Sequence, residues 1–229
     1  MSASIRNSFL YADANLVALY ELEDVNDSKA SYTLTNHATV PFNAAQFGNG
    51  AEFPSSNSTK YLDVASNLGL AGNGNMSVSF WYKRQVEILT ASNEYAVYHS
   101  STTTLARYLG LSYYESSGKN LYLDSSGTGL TYAVTLGTTW HYIVIVRDVS
   151  NSKTQLYLDG SQVGGDGTIG TGVASASAFS IGSTTTPGLY TSSAIIDDVA
   201  VFSRALTSTE ISNHFSGADS NSKGFIALL

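Results

Sequence analysis

The sequence predicts an all-β protein: an antiparallel β-sandwich with one short C-terminal helix. Three observations support this fold class. Residues 140–160 carry a strong strand pattern followed by a hairpin turn, short extended segments recur between residues 16 and 202, and only residues 207–216 suggest a helix. Many short strands separated by turn residues are typical of sandwiches rather than of α/β folds.

Residues 140–160 hold the clearest strand. Between positions 141 and 146 both alternating sets of side chains are largely apolar, which predicts a central strand packed on both faces. A polar stretch at 147–153 predicts a turn, and residues 155–158 resume an extended run. Asp159 and Gly160 tolerate the positive φ angles of a type I′ turn, so residues 161–163 are expected to return as a third strand.

The remaining elements follow from the same patterns. In residues 76–83, alternation places Trp81 on the more polar face of a half-buried strand. Thr207 can cap a helix over 207–216, and Glu210 stands three residues later, as a capping box requires. The other predicted strands lie at 16–22, 46–53, 60–64, 95–99, 105–114, 121–123, 132–136, 179–182 and 194–202.

Composition limits the function. The chain has 229 residues, enough for one large β core, and its net charge is -7 with 18 acidic against 11 basic side chains. This charge repels a phosphate backbone, so a nucleic-acid partner is not expected. There is no Cys, no secretory signal pattern at the N-terminus, and no apolar run long enough to insert in a membrane. We expect a protein located outside the cell or on the surface of a cell or particle.

Several segments, taken in order, resemble a known family. They are LVALYELED, FGNGAEF, YLDV, MSVSFWYK, WHYIVIVRD, LYLDG and IDDVAVFSRALTSTEI. Their order is similar to that of the laminin G-like jelly roll of the concanavalin A-like lectin and glucanase superfamily. The resemblance implies two curved antiparallel sheets packed face to face, with a jelly-roll domain at 16–217, an N-terminal arm at 1–15 and a C-terminal tail at 218–229.

Acidic residues occur in two regions that this fold could bring together. Glu23 and Asp27 lie in the first polar loop, and Asp197 and Asp198 enter the last long strand. Calcium binds about six to eight oxygens from carboxylates and carbonyls. The resemblance implies a structural calcium ion held by Glu23, Asp27 and Asp197, with Asp198 nearby. The chain departs from the family by having Glu at position 23 where Asp is usual, and by lacking a glycine-rich run after Asp27.

Tyrosines suggest a binding surface for a glycan. Sugar rings pack their C–H faces on aromatic side chains while their hydroxyls bond to polar groups. Tyr113 and Tyr114 are adjacent on a strand and point to opposite faces, so at least one is expected at the surface, and Tyr190 follows a loop with Pro187. The sequence therefore predicts a non-catalytic, lectin-like module with Tyr113, Tyr114 and Tyr190 in the ligand site.

Two alternatives remain. The apolar tail at 224–229 could mediate self-association, which suits a structural or adhesive subunit of an appendage or virion. Glycoside hydrolysis is the other, because Glu21 and Glu23 are two residues apart at a strand end. It needs a pair of carboxylates across the sugar, and residues 140–147 supply no second acidic strand.

Overall fold

The computed structural model describes most of the chain. It covers residues 8–54, 59–70, 72, 74–85, 93–101, 107–114, 120–125, 128–169, 177–183 and 193–217, with side chains described at all of these except 8, 9, 93, 100, 101, 107–109, 114, 124, 125 and 128. The helices are α1 (Ser8–Ala12) and α2 (Ser208–Ser216). The strands are β1 (Leu16–Tyr20), β2 (Thr35–His37), β3 (Phe42–Ala44), β4 (Asn49–Pro54), β5 (Tyr61–Val64), β6 (Met76–Arg84), β7 (Asn93–Ser101), β8 (Arg107–Tyr114), β9 (Asn120–Ser125), β10 (Thr128–Ala133), β11 (His141–Asp148), β12 (Lys153–Leu158), β13 (Ser161–Gln162), β14 (Gly167–Thr168), β15 (Ser177–Ile181) and β16 (Ser193–Phe202).

The strands form two antiparallel sheets. The nine-stranded sheet has the order β13-β12-β11-β6-β16-β4-β3, with β1 paired to β16 and β14 paired to β12. The seven-stranded sheet has the order β10-β9-β8-β7-β15-β5-β2. The predicted sandwich is thus confirmed, including the central strand β11, which lies between β6 and β12.

Apolar side chains fill two layers. Ile143 and Ile145 of β11 point into the main core between the sheets. Tyr142, Val144 and Val146, on the other face of the same strand, belong to a second cluster with Leu10 of α1 and Ile211 of α2. The two faces of β11 are therefore both buried, as the sequence predicts, and each fully buried Val or Ile side chain contributes about 1.5–3 kcal/mol.

The C-terminal helix forms where the sequence predicts it. The Thr207 side chain accepts a hydrogen bond from the Glu210 N–H, and the Glu210 carboxylate accepts one from the Thr207 N–H, so the capping box is complete. Arg204 donates to both Asp13 and Glu210, at 2.6 and 2.8 Å, which ties the segment before β1 to α2. These hydrogen bonds to Arg204 are the main cause that lowers the pKa of Glu210 to about 2.

One helix was not predicted. Residues 8–12 form one and a half turns of α-helix, within the predicted N-terminal arm at 1–15. Its sequence, SFLYA, is too short for a helical period to show, and it is held through Leu10, which is only 7% exposed. Among the described residues, no helix has the length and apolar character needed to cross a bilayer.

Candidate functional site

A groove lies where the edges of the two sheets meet. One wall is formed by residues 130–133 of β10, the edge strand of the seven-stranded sheet, and the other by the turn at 163–166 between β13 and β14. We call this the edge groove. Its volume is about 410 Å³, which is enough for part of a small ligand.

Strand pairing explains why the turn stands out from the sheet. Asp159 and Gly160 both have positive φ, 49° and 81°, so the predicted hairpin turn forms and β13 returns beside β12. After the turn, β14 pairs with β12 again, at Lys153 and Thr154. Residues 163–166 are thus anchored at both ends on one strand, and the segment between the anchors projects over β10.

The apolar wall of the groove rests on Tyr132. The Tyr132 hydroxyl donates to the Gly165 carbonyl at 3.2 Å, and its ring packs under Gly164. A Cβ added at Gly164, where φ is 62°, would lie 2.7 Å from that ring, so this close approach requires glycine. Burial, with a smaller contribution from Asp166, raises the pKa of Tyr132. The half-buried side chains of Leu130 and Val163 extend the same apolar wall.

The polar side of the groove is organised around Asp166. Its Oδ1 accepts hydrogen bonds from the amide groups of Gln155 and Gln162, both at 2.8 Å. The Lys153 ammonium lies 3.6 Å from Oδ2. These two amide donors, with the charge of Lys153 as a further cause, lower the pKa of Asp166. The result is an exposed carboxylate that is held in a fixed orientation and stays ionised.

The structure brings the two predicted acidic regions together. β1 pairs with β16 from Leu16 to Tyr20, so the loop after β1 lies next to Asp197 and Asp198. Glu23 Oε2 accepts from the Asn49 N–H at 3.2 Å, and Asp197 Oδ2 accepts from the Phe47 N–H at 2.8 Å. Both carboxylates therefore hold the same turn, between β3 and β4.

Asp198 marks an irregularity in β16. It has φ 47°, in the left-handed region, and the register of β16 against β6 shifts between Asp197 and Ala200. Before this bulge β16 pairs with β4, and after it β16 pairs with β1 on the same side. Asp197 and Asp198 are both buried, at 0% and 5% exposure. The bulge thus places both carboxylates at the point where the neighbour of β16 changes from β4 to β1.

Asp27 does not fit the calcium site that the resemblance implies. Its Oδ1 accepts from the N–H groups of Leu19 and Lys29 at 2.8 and 2.9 Å, and its Oδ2 accepts from those of Ser31 and Tyr32 at 3.1 and 3.2 Å. Each oxygen has two lone pairs, and all four are used by N–H donors. In the described part of the chain, no three His, Cys, Asp or Glu side chains gather into a metal-binding group.

Of the three tyrosines predicted for the ligand site, the structure describes the side chain of Tyr113. Tyr113 is only 2% exposed and lies in the main core, with the Arg84 guanidinium 4.4 Å from its ring centroid. The expectation that Tyr113 faces a ligand needs correction, because its side chain points between the sheets. The backbone of Tyr114 ends β8, but its side chain lies outside the described set, as does Tyr190.

The sequence patterns described above assign no role to residues 163–166 or to 130–133. One signal lies in the sequence: Gly164, Gly165 and Asp166 follow closely after the predicted Asp159–Gly160 turn. What the sequence could not show is that β10 lies opposite, because that pairing of edges depends on the whole strand order.

The family can now be assigned. The profile of the laminin G-like family within the concanavalin A-like lectin/glucanases superfamily matches residues 56–212, more than half of the 229-residue chain. The chain belongs to this superfamily. No curated protein matches it at the sequence level.

Solved structures share the fold of this superfamily member at low sequence identity. Domain 4 of AbnA, an extracellular arabinanase from Geobacillus stearothermophilus, solved with arabinotriose, has a TM-score of 0.65 and 15% identity, over 87% of this chain and 98% of that one. The ligand-binding domain of botulinum neurotoxin serotype D, solved with N-acetylneuraminic acid, has a TM-score of 0.68 and 15% identity, over 89% of this chain and 51% of that one. Trypanosoma rangeli sialidase has a TM-score of 0.64 and 15% identity. This chain spans a third of the sialidase, 33%, and 89% of its own length is covered.

Proposed function

We propose that the chain is a non-catalytic carbohydrate-binding module that holds a glycan in the edge groove. The observation that carries this proposal is the chemistry of the groove: an apolar wall at Leu130 and Val163, backed by the buried Tyr132, beside an oriented carboxylate at Asp166. Sugars present an apolar C–H face and a polar rim of hydroxyls, so a shallow site of this composition suits them. The likeness to domain 4 of AbnA, which was solved with arabinotriose and is matched over almost its full length, supports the same class of ligand.

We infer binding without hydrolysis from the acidic side chains that line the groove. Glycosidases place two acidic side chains on either side of the scissile bond, about 5–5.5 Å or 6.5–9.5 Å apart. Among the described residues that line the groove, Asp166 is the one acidic side chain. Glu21, considered above for hydrolysis, accepts from the Ser28 hydroxyl at 3.0 Å in the loop after β1 and does not line the groove.

A test of the proposal blocks the groove without disturbing the fold. A Cβ at Gly165 would meet nothing within 4 Å, so Gly165→Phe adds a ring over the groove at little cost in stability. We expect glycan-array signals, and the affinity for arabinotriose measured by calorimetry, to fall at least about tenfold, which corresponds to about 1.4 kcal/mol. The melting temperature should stay within about 2 °C of the wild type.

A matched control uses a glycine away from the groove. Gly74 is exposed, its Cβ would also meet nothing within 4 Å, and it does not line the groove, so Gly74→Phe should bind as the wild type does. If the array shows no glycan, or if Gly165→Phe retains full affinity while folded, the edge groove is not a sugar site.

The cellular setting is part of the proposal. Glycans are displayed mainly outside cells, and the arabinanase that contains the similar domain 4 is described as extracellular. We infer the same location, outside the cell or on a cell or particle surface, for this chain.

A second candidate is a structural or adhesive subunit. Phe215, at the end of α2, is 38% exposed, and its ring centroid lies 5.9 Å from that of Trp81 on the outer face of the nine-stranded sheet. A single exposed ring is common on protein surfaces, so this candidate depends on the apolar sequence of residues 224–229. Self-association through the tail at 218–229, which lies outside the described residues, stays a prediction, and the mass in solution of the chain with and without residues 224–229 tests it.

A further inference from the structure

The charge around the edge groove limits which sugars it can hold. Of the described residues that line it, Asp166 is the one with a formal charge, and that charge is negative. The nearest basic group, the Lys153 ammonium, lies 3.6 Å from Asp166 Oδ2 and is therefore engaged by the carboxylate. The carboxylate of an acidic ligand would therefore be repelled by Asp166, and the net charge of -7 on the whole chain adds to this repulsion.

Asp166 is also suited to one kind of hydrogen bond. An ionised carboxylate accepts but does not donate, and here Oδ1 is already used by the amides of Gln155 and Gln162. At Oδ2 the one described partner is the Lys153 ammonium, 3.6 Å away. Because a carboxylate oxygen has two lone pairs, Oδ2 can also accept from a sugar hydroxyl, and charge-assisted bonds of that kind are about twice as strong as neutral ones.

We propose that the edge groove selects neutral saccharides, whose hydroxyl groups donate to Asp166 and whose C–H face packs on the wall at Leu130 and Val163, and that it rejects sugars carrying a carboxylate. This inference rests on the proposed function, since it concerns the same groove. It separates this chain from the similar toxin domain, which was solved with N-acetylneuraminic acid, an acidic sugar.

The experiment compares neutral sugars with related sugars that carry carboxylates. Lactose is matched with sialyllactose, which adds one carboxylate, and methyl-esterified trigalacturonic acid with the free acid, which has three. The affinity of each is measured by calorimetry at low salt and at about 0.5 M salt. We expect the neutral member of each pair to bind at least about fivefold more tightly at low salt, because a carboxylate within about 4 Å of Asp166 is repelled. High salt should reduce this preference, since it screens the repulsion.

A variant without the charge of Asp166 tests whether that charge causes the preference for neutral sugars. Asp166→Asn keeps an oxygen that can accept from the two glutamines but removes the charge, so the preference for neutral sugars should fall below about twofold and neutral sugars should themselves bind a few-fold more weakly. The matched control, Asp24→Asn, removes the same charge at an exposed site in the loop after β1 and should keep the wild-type preference.

The outcomes separate the two proposals. If acidic sugars bind as tightly as their neutral partners, or more tightly, while Gly165→Phe still blocks binding, the groove is a sugar site but the inference about neutral ligands is wrong. If Gly165→Phe leaves binding unchanged, or if no saccharide binds, the proposed function fails and the inference fails with it. If the preference is found but Asp166→Asn retains it, the selection comes from another group and the role given to Asp166 is wrong.

Discussion

His99 is a titratable side chain whose burial disfavours its charged form. It is 1% exposed, its ring packs 5.0 Å from that of Phe179, and neither ring nitrogen has a hydrogen-bond partner in the described structure. Burial lowers the pKa of His99 to about 3 from an ordinary value of 6.5. The unfolded chain therefore binds a proton below pH 6.5 that the folded chain cannot bind until about pH 3.

This asymmetry predicts an acid sensitivity that one substitution removes. The free energy of unfolding is therefore unaffected by His99 titration above pH 6.5. Below that pH it decreases, by up to about 1.4 kcal/mol per pH unit, until the pH reaches about 3. At pH 8, His99→Leu and the wild type should have similar free energies of unfolding in urea. As the pH is lowered to 4.5, the variant should become progressively more stable than the wild type. A constant difference between the two proteins over this range would contradict the buried, neutral state of His99.

The burial of Tyr113 shows what an alternating sequence pattern can and cannot predict. Alternation correctly places Tyr113 and Tyr114 on opposite faces of β8, but it does not say which face is covered. Leu111 shares a face with Tyr113 and is 1% exposed, and this neighbour indicates the inward face. The Arg84–Glu94 ion pair, at 3.6 Å with both side chains buried, lies beside Tyr113 and has no equivalent in a sequence pattern.

At the scale of elements, the loop between β1 and β2 is organised by one carboxylate. Asp27 holds four backbone N–H groups, from Leu19 in β1 and from residues 29, 31 and 32. The three donors at 29, 31 and 32 lie in a loop without strand pairing, so they would be left unsatisfied without Asp27. Asp27 thus does for this loop what a capping residue does for a helix end.

Replacing this carboxylate should be costly. In Asp27→Asn an NH₂ group must face two N–H donors, so we expect a loss of about 2 kcal/mol or more in the free energy of unfolding, measured with urea at pH 7. Asp24→Asn, in the same loop, removes an exposed carboxylate whose hydrogen bonds within the described residues come from Asn26, and it should cost less than about 0.5 kcal/mol. Equal, small losses for both variants would show that the four bonds to Asp27 do not hold the loop.

Local elements were predictable because their causes are local. The capping box of α2 and the Asp159–Gly160 turn each depend on residues within four positions of one another, and both form as predicted. The edge groove depends instead on β10 and the turn at 163–166, which belong to different sheets. Only the complete strand order brings these two segments together, and no local pattern encodes that order.

At the scale of the whole molecule, residues near position 23 lie beside those near 197 because β1 pairs with the end of β16. The family resemblance predicted this meeting, which no local pattern could, since the two regions are at opposite ends of the chain. It did not predict what the acids do there. Glu23 and Asp197 accept from backbone N–H groups at the turn between β3 and β4. Gly48 is needed in that turn because its φ is 70°, in the left-handed region.

The resemblance and the geometry therefore predict different responses to calcium, and a thermal melt distinguishes them. An ion bound only by the folded state at a hundred times its dissociation constant stabilises by about 2.7 kcal/mol, which raises the melting temperature of a chain of this size by about 5–10 °C. All four lone pairs of Asp27 are occupied by N–H donors, and in the described residues no three acidic side chains gather into a metal-binding group. We therefore expect the melting temperature to agree within about 1 °C in chelator and in millimolar calcium. A rise with calcium that is lost in Glu23→Gln would instead assign the ion to Glu23, Asp197 and Asp198, with Asp27 as a structural residue beside it.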